Sequence, residues 1–280
     1  MMPHAPKSQH GDEQSEKPDQ PESRSKQQRE ESVPDVPVGN QLLAALPSEE
    51  YLHLLPLLEG IEPPHQYIFY EPNKPITHVY FPVSGVASLL MLGEKDEKNE
   101  KDEKDTEGEA VEAATVGNEG MVGIPVFLGQ ESTPSRALMQ VPGTVLRMSV
   151  ADFRQEVLET PGSRLEVLLQ HYTHALMVQM AQGVACNRLH TIEQRAARWL
   201  LTTRDRVGGP TYPLTQEFLS QMLGVRRASV SQVASTLQDE GLLTYTRGVI
   251  TILDPESMEA RACACYPIIR DEFDRMLAQL

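Results

Sequence analysis

Residues 214–237 read LTQEFLSQMLGVRRASVSQVASTL. Thr215 suits the cap of a short helix whose apolar residues are Phe218, Leu219, Met222 and Leu223. Gly224 then supplies a tight turn. A second helix follows, with Val230, Val233, Ala234 and Leu237 on its buried face, and Ser220 is small where the two helices approach. Val225 and Val230 fall where a helix-turn-helix needs apolar residues, the unit that sets its second helix in the major groove of DNA. The exposed face carries Arg226, Arg227, Ser229, Gln232 and Thr236. Arginine forks onto guanine and glutamine onto adenine, while Thr215, Gln216 and the helix N-terminus suit phosphates. Gly241 ends the helix. Leu243–Tyr245 and Val249–Ile252 predict a hairpin around Thr246-Arg247-Gly248, a wing with Arg247 at its tip. Helix pairs with a solvated face are common; the order of cap, glycine turn, basic face and β-wing is what makes this one specific.

Upstream, Thr191 and Gln194 fit a capping box for a helix with Ile192, Ala196, Trp199 and Leu200 inward, ended by Gly208-Gly209-Pro210. Before it, Ser163 with Glu166 predicts the start of a helix of about 25 residues. Its stripe of Leu165, Leu168, Leu169, Tyr172, Leu176, Met180 and Val184 is read as a seam with a second copy, chiefly through Leu165, Leu169, Tyr172, Leu176 and Met180. Packing against the chain's own strands is the other reading of that stripe. From about Glu59 to Met148 short β-type runs alternate with turn residues: Tyr67–Tyr70, His78–Phe81, Val86–Leu92, Glu109–Val116, Ala137–Val141 and Thr144–Met148. Such spacing reads as a small sandwich or barrel. A short helix capped by Ser48, with Tyr51, Leu54, Leu55 and Leu58 inward, precedes them.

The net charge of −15 argues at first against a nucleic-acid partner, but much of it sits in two low-complexity stretches. Residues 1–38 carry −3 and residues 94–109 carry −5, whereas residues 188–252 carry +3, all from arginine. The first stretch has too few large apolar residues to offset ordering and reads as a disordered tail; the second reads as a solvated loop between two strands. Three cysteines fit a reducing cytoplasm, and no signal peptide or membrane span is visible.

With these elements in hand, the chain resembles the Crp/Fnr family of transcription regulators over roughly residues 40–280. The strongest stretch is LTQEFLSQMLGVRRASVSQVASTLQDEGLL followed by YTRGVITI, with LHTIEQRAARWLL before it and VGNEGMVGIPVFLG further upstream. The resemblance implies an α+β chain: a β-roll (jelly-roll-like) sensor domain at 39–160, a long dimerisation helix at 161–190 and a C-terminal winged helix-turn-helix domain at 191–280. It places Arg227 and Gln232 on base-reading positions and Thr215 and Gln216 on phosphate-contacting ones. It also implies double-stranded DNA, a second copy and RNA polymerase as partners, and an effector pocket around Gly120, Met121, Val122, Gly123, Ser135 and Arg136. Cyclic-nucleotide-binding members have a Gly-Glu pair for the ribose; here Met121 stands at the Glu position and Arg136 is offset by one residue. Cyclic AMP is therefore not expected as the effector, and another small molecule, or none, is.

No P-loop, HExxH, GxSxG or dinucleotide glycine motif occurs, so no enzyme is expected; Glu119 and His190 read as lone residues. The N-terminal cysteines of the family's iron–sulfur oxygen sensors are missing. Cys263 and Cys265, with Cys186, His171 and His174, have ligand types for a metal, but no two-pair spacing supports one, and none is expected. The expectation for this chain is a homodimeric, sequence-specific DNA-binding regulator. The alternative, motivated by the negative charge, is a sensing or interaction module that no longer binds DNA.

Overall fold

The computed structural model describes residues 39–93 and 110–278; the tail at 1–38 and the charged loop at 94–109 lie outside the described residues. Two short helices, α1 (Gln41–Ala44) and α2 (Ser48–Leu54), lead into strands β1 (Glu59–Ile61), β2 (Ile68–Tyr70), β3 (His78–Pro82), β4 (Val86–Leu92) and β5 (Ala110–Val116). A helical turn α3 (Ile124–Phe127), strands β6 (Ser135–Val141) and β7 (Val145–Ser149), and the turn α4 (Val150–Phe153) complete the first half. The strands form two antiparallel sheets, ordered β1-β7-β3 and β2-β6-β4-β5. The expected cap Ser48 is instead the first residue of α2, and no side chain caps that helix.

The four-stranded sheet is apolar on both faces. Successive side chains point to opposite sides of a strand, so Ala87, Leu89, Ala137 and Met139 enter the core between the sheets, while Val86, Leu90 and Leu138, and Val141 beyond a bulge in register, join a second core. That second core belongs to the C-terminal half. It includes α6 (Ile192–Val207), β8 (Thr211–Pro213), the helix-turn-helix pair α7 (Gln216–Leu223) and α8 (Arg227–Asp239), the wing strands β9 (Leu243–Thr246) and β10 (Val249–Ile252), and α9 (Pro255–Arg261). These C-terminal elements, called the reading head below, are thus seated on the outer face of the roll.

Between the halves runs α5 (Arg164–Leu189), 26 residues long. Ser163 Oγ accepts from Glu166 N as expected, but the Glu166 carboxylate accepts from Gly162 N, so the box is not reciprocal. The seam expected for a second copy is occupied by the chain itself. Leu165, Leu169 and Tyr172 are 0% exposed and Leu176 4%, and Met180 packs against the same cluster. The last helix, α10 (Cys265–Leu277), returns along α5 and adds Ile269, Phe273 and Met276 to that core, with the Phe273 and Tyr172 rings 6.3 Å apart. Periodicity reveals a buried stripe but not what buries it.

Candidate nucleic-acid interface

Thr215 caps α7, its Oγ1 accepting from Phe218 N at 3.0 Å, so the first helix begins where the sequence places it. Gly224 closes α7 at φ +61, in the left-handed region that glycine enters at little cost. Gln216 is drawn inward: its Oε1 accepts from Ser231 Oγ at 2.6 Å and ties α7 to α8. It fixes the angle between the helices as much as it faces outward.

Arg226 is the N-cap residue of α8, with no side-chain capping bond, and Arg227 is the first helical residue. Both are exposed. Arg227 Nε lies 3.9 Å from Glu217 Oε2 with both side chains mostly in solvent, a contact too loose to hold the guanidinium. Gln232 is exposed one turn on, and Ser229 is half-buried. Thr236 bends its hydroxyl back to Gln232 O. Ser235, not foreseen, lies exposed one turn beyond Gln232 and extends the face; its spacing from Gln232 was the available signal.

The wing differs from expectation by one residue. Thr246 pairs with Val249, leaving a two-residue turn of Arg247 (φ +50) and Gly248 (φ +76). Two positive φ values suit a tight hairpin, where Asn-Gly is the unstrained choice. Arginine at the first position costs strain, yet it puts an exposed guanidinium at the tip. The wing is anchored at its base: Leu214 N donates to Gly248 O, and Tyr245 OH donates to Leu214 O, both at 2.8 Å. Thr215, Gln216, Arg226, Arg227, Ser229, Gln232 and Arg247 thus belong to one compact unit.

The second group of expected residues is not gathered in the same way. Gly120, Met121 and Val122 lie in the core of the roll, with Met121 0% exposed. A Cβ on Gly120 would run into the Tyr172 ring, so only glycine fits there. Val122 pairs with Tyr80, and Gly123 sits at φ +112 at the start of α3. Arg136 donates from Nε to Glu71 Oε2 at 2.8 Å, and Ser135 lies beside Thr133. The guanidinium expected for an effector phosphate therefore has a carboxylate of its own.

The loop ahead of Gly120 touches the reading head. Glu119, expected to be alone, accepts from Arg206 Nε of α6 at 2.7 Å, with both side chains under a tenth exposed. Arg206 also donates to Thr115 Oγ1 and to Gln179 Oε1, so β5, the loop, α5 and α6 share one network. Beside it Trp199 Nε1 donates to Glu112 Oε1 at 2.7 Å, and burial pushes the Glu112 carboxyl up to about 7. The cysteines are not dispersed either: Cys186, Cys263 and Cys265 form one buried cluster that takes in His190 and leaves out His171 and His174.

Residues 194–261 match the Crp-like helix-turn-helix domain family. No curated protein matches the chain by sequence. Among solved structures, FixK2 from Bradyrhizobium japonicum is similar with a TM-score of 0.59 at 16% identity, covering 74% of this chain and 98% of that one. The c-di-GMP-responsive global regulator CLP of Xanthomonas campestris gives 0.56 at 14% identity, covering 74% and 99%. TTHA1359, a Crp/Fnr-family transcriptional regulator from Thermus thermophilus, gives 0.55 at 18%, covering 73% and 98%. No helix among the described residues is long and apolar enough to cross a membrane. The chain thus carries a Crp-like helix-turn-helix domain and has the Crp/Fnr fold, a β-roll joined through a long helix to a winged helix-turn-helix.

Proposed function

We propose that this protein is a cytoplasmic, sequence-specific regulator of transcription that reads double-stranded DNA as a homodimer. The observation that carries the reading is the exposed run Arg226-Arg227 at the N-terminus of α8, continued by Gln232 and flanked by the strained Arg247 of the wing. An exposed, basic helix start with bidentate side chains suits base edges in a major groove, and a wing-tip arginine suits the adjacent phosphates. The working units are the roll at 39–160, the long helix at 161–190 and the head at 191–280, with RNA polymerase as a further partner.

With the expected seam buried, the free face of α5 becomes the candidate dimer surface. Gln170, His174, Met177, Ala181, Val184 and Arg188 recur at alternating spacings of four and three, and Met177 and Val184 are 63% and 73% exposed. That spacing is the one two helices use to supercoil. Two heads would then meet half-sites about 34 Å apart. Asp at both Met177 and Val184 is expected to leave monomers in sedimentation velocity; an unchanged dimer would move the interface elsewhere.

The signal is assigned to the roll, and cyclic AMP is a poor fit, because Met121 is buried and Arg136 is paired with Glu71. The Glu119–Arg206 pair is the direct link by which a change at that loop would reach the head. The decisive experiment is gel shift with genomic fragments over a salt series. Affinity should fall steeply with salt, and Arg227→Ala should cost about 1–3 kcal/mol and relax the sequence preference. If Arg227→Ala leaves site selection as it was, α8 is not the reading helix.

A further inference from the structure

Cys186 lies in the last turns of α5, Cys263 follows α9, and Cys265 opens α10. They are 0%, 2% and 3% exposed. His190, the first of two extended residues between α5 and α6 (φ −114, ψ 152), turns its ring toward them. Cys186 Sγ is 3.4 Å from Cys263 Sγ, and His190 Nδ1 is 3.6 Å from Cys265 Sγ. All four donor atoms lie within 4.8 Å of one another.

Thiols are weak hydrogen-bond donors and acceptors, so three of them around an imidazole satisfy one another poorly. A single tetrahedral ion satisfies them well. Zinc holds sulfur at about 2.3 Å and imidazole nitrogen at about 2.0–2.1 Å, which separates its ligand atoms by roughly 3.5–3.8 Å. The 3.4 and 3.6 Å spacings are close to that. A disulfide would need sulfurs about 2.05 Å apart. A polynuclear iron–sulfur cluster places several irons and sulfides between its thiolates and needs them spread more widely.

Charge agrees with geometry. Three thiolates around a divalent ion leave one negative charge, and Arg198 and Arg195 both act on the cluster.

We propose that Cys186, His190, Cys263 and Cys265 form a closed Cys3His site for one zinc ion. With four protein ligands and no open position the ion is structural. Cys186 and Cys263 are 77 residues apart, and the whole winged helix-turn-helix lies between them. The ion therefore clips the segment after the wing to the joint between α5 and α6, closing the kind of long loop for which a clip counts most. The proposal stands whether or not the head binds DNA.

The test uses the full-length protein, purified under reducing conditions, stripped with a chelator and titrated with cobalt and then zinc. One equivalent of cobalt per chain should give the intense visible bands of a tetrahedral ion and a thiolate-to-cobalt charge-transfer band, both erased by zinc. Zinc should also raise the melting temperature. Cys263→Ser and Cys265→Ser should each lose the stoichiometric site. Should either serine variant misfold, the wild-type cobalt spectrum alone decides. Wild-type protein with no tetrahedral thiolate bands, an acid-labile sulfide chromophore, or a Cys186–Cys263 disulfide as the resting form would each overturn the assignment.

Discussion

Beside the apolar core they share, two polar clusters tie the reading head to the rest of the chain, and they are built on opposite principles. At Arg206, a buried charge is neutralised within the chain: Glu119, Thr115 and Gln179 take up its donors, although Glu119 Oε2 is left without a hydrogen-bond partner. At Cys186, three thiols and one imidazole converge with their ligand atoms within 4.8 Å of one another, joined only by the weak contacts of Cys186 with Cys263 and of Cys265 with His190. The first attachment is an ion pair made within the polypeptide. The second calls for something the polypeptide does not supply. Buried opposite charges that neutralise each other read as structure, while metal-ligating groups that converge read as a binding site.

Breaking the closed attachment should have the largest effect. Arg206→Met leaves the Glu119 charge buried without a counter-charge, with only Gly117 N donating to it, and should cost about 3–5 kcal/mol, measured as a drop in the urea midpoint. Adding Glu119→Gln should recover part of the loss; a double variant no better than the single would mean that Arg206 acts through packing. The open attachment should show a smaller, conditional effect. Free zinc at a hundred times its dissociation constant should add about 2.7 kcal/mol to the wild type and nothing to Cys265→Ser. A protonation effect beside the first attachment should be spread over a window of pH. Glu112 holds its proton up to about 7, against 4.5 unperturbed, so its contribution is full below pH 4.5 and is lost as pH rises through about 7. Stability, followed by Trp199 fluorescence, should therefore decline across that window, and Glu112→Gln should flatten the decline.

Much of this was legible in the sequence wherever the determinant was local. The Thr191–Gln194 box forms reciprocally, Thr215 caps its helix, Gly224 takes the left-handed turn, and the six β-type runs become strands with ends within a residue or two. What escaped was set by partners far along the chain. Glu119 and His190 looked solitary because Arg206 and Cys265 lie 87 and 75 residues away. The stripe on α5 was visible, but α10, which helps cover it, was not placed at all. Strand β1 is three residues long and mostly exposed, so no alternation announced it. The outward apolar residues of β4 and β6 looked like part of one sheet core, because an uninterrupted apolar run does not say that two cores share it.

The joint at His190 has a mechanical consequence. Only two extended residues, His190 and Thr191, separate α5 from α6, and α6 is a rigid rod of 16 residues, about 24 Å long. A rod of that length pivoting about its end is a lever arm: turning it by about 10° sweeps the far end through roughly 4 Å, close to the 3.4 Å rise of one base step. Arg206 lies at that far end and pins it to Glu119, so on the proposed reading of DNA, release of that pair would let α6 turn about the joint and shift α8 by about one base pair along a groove.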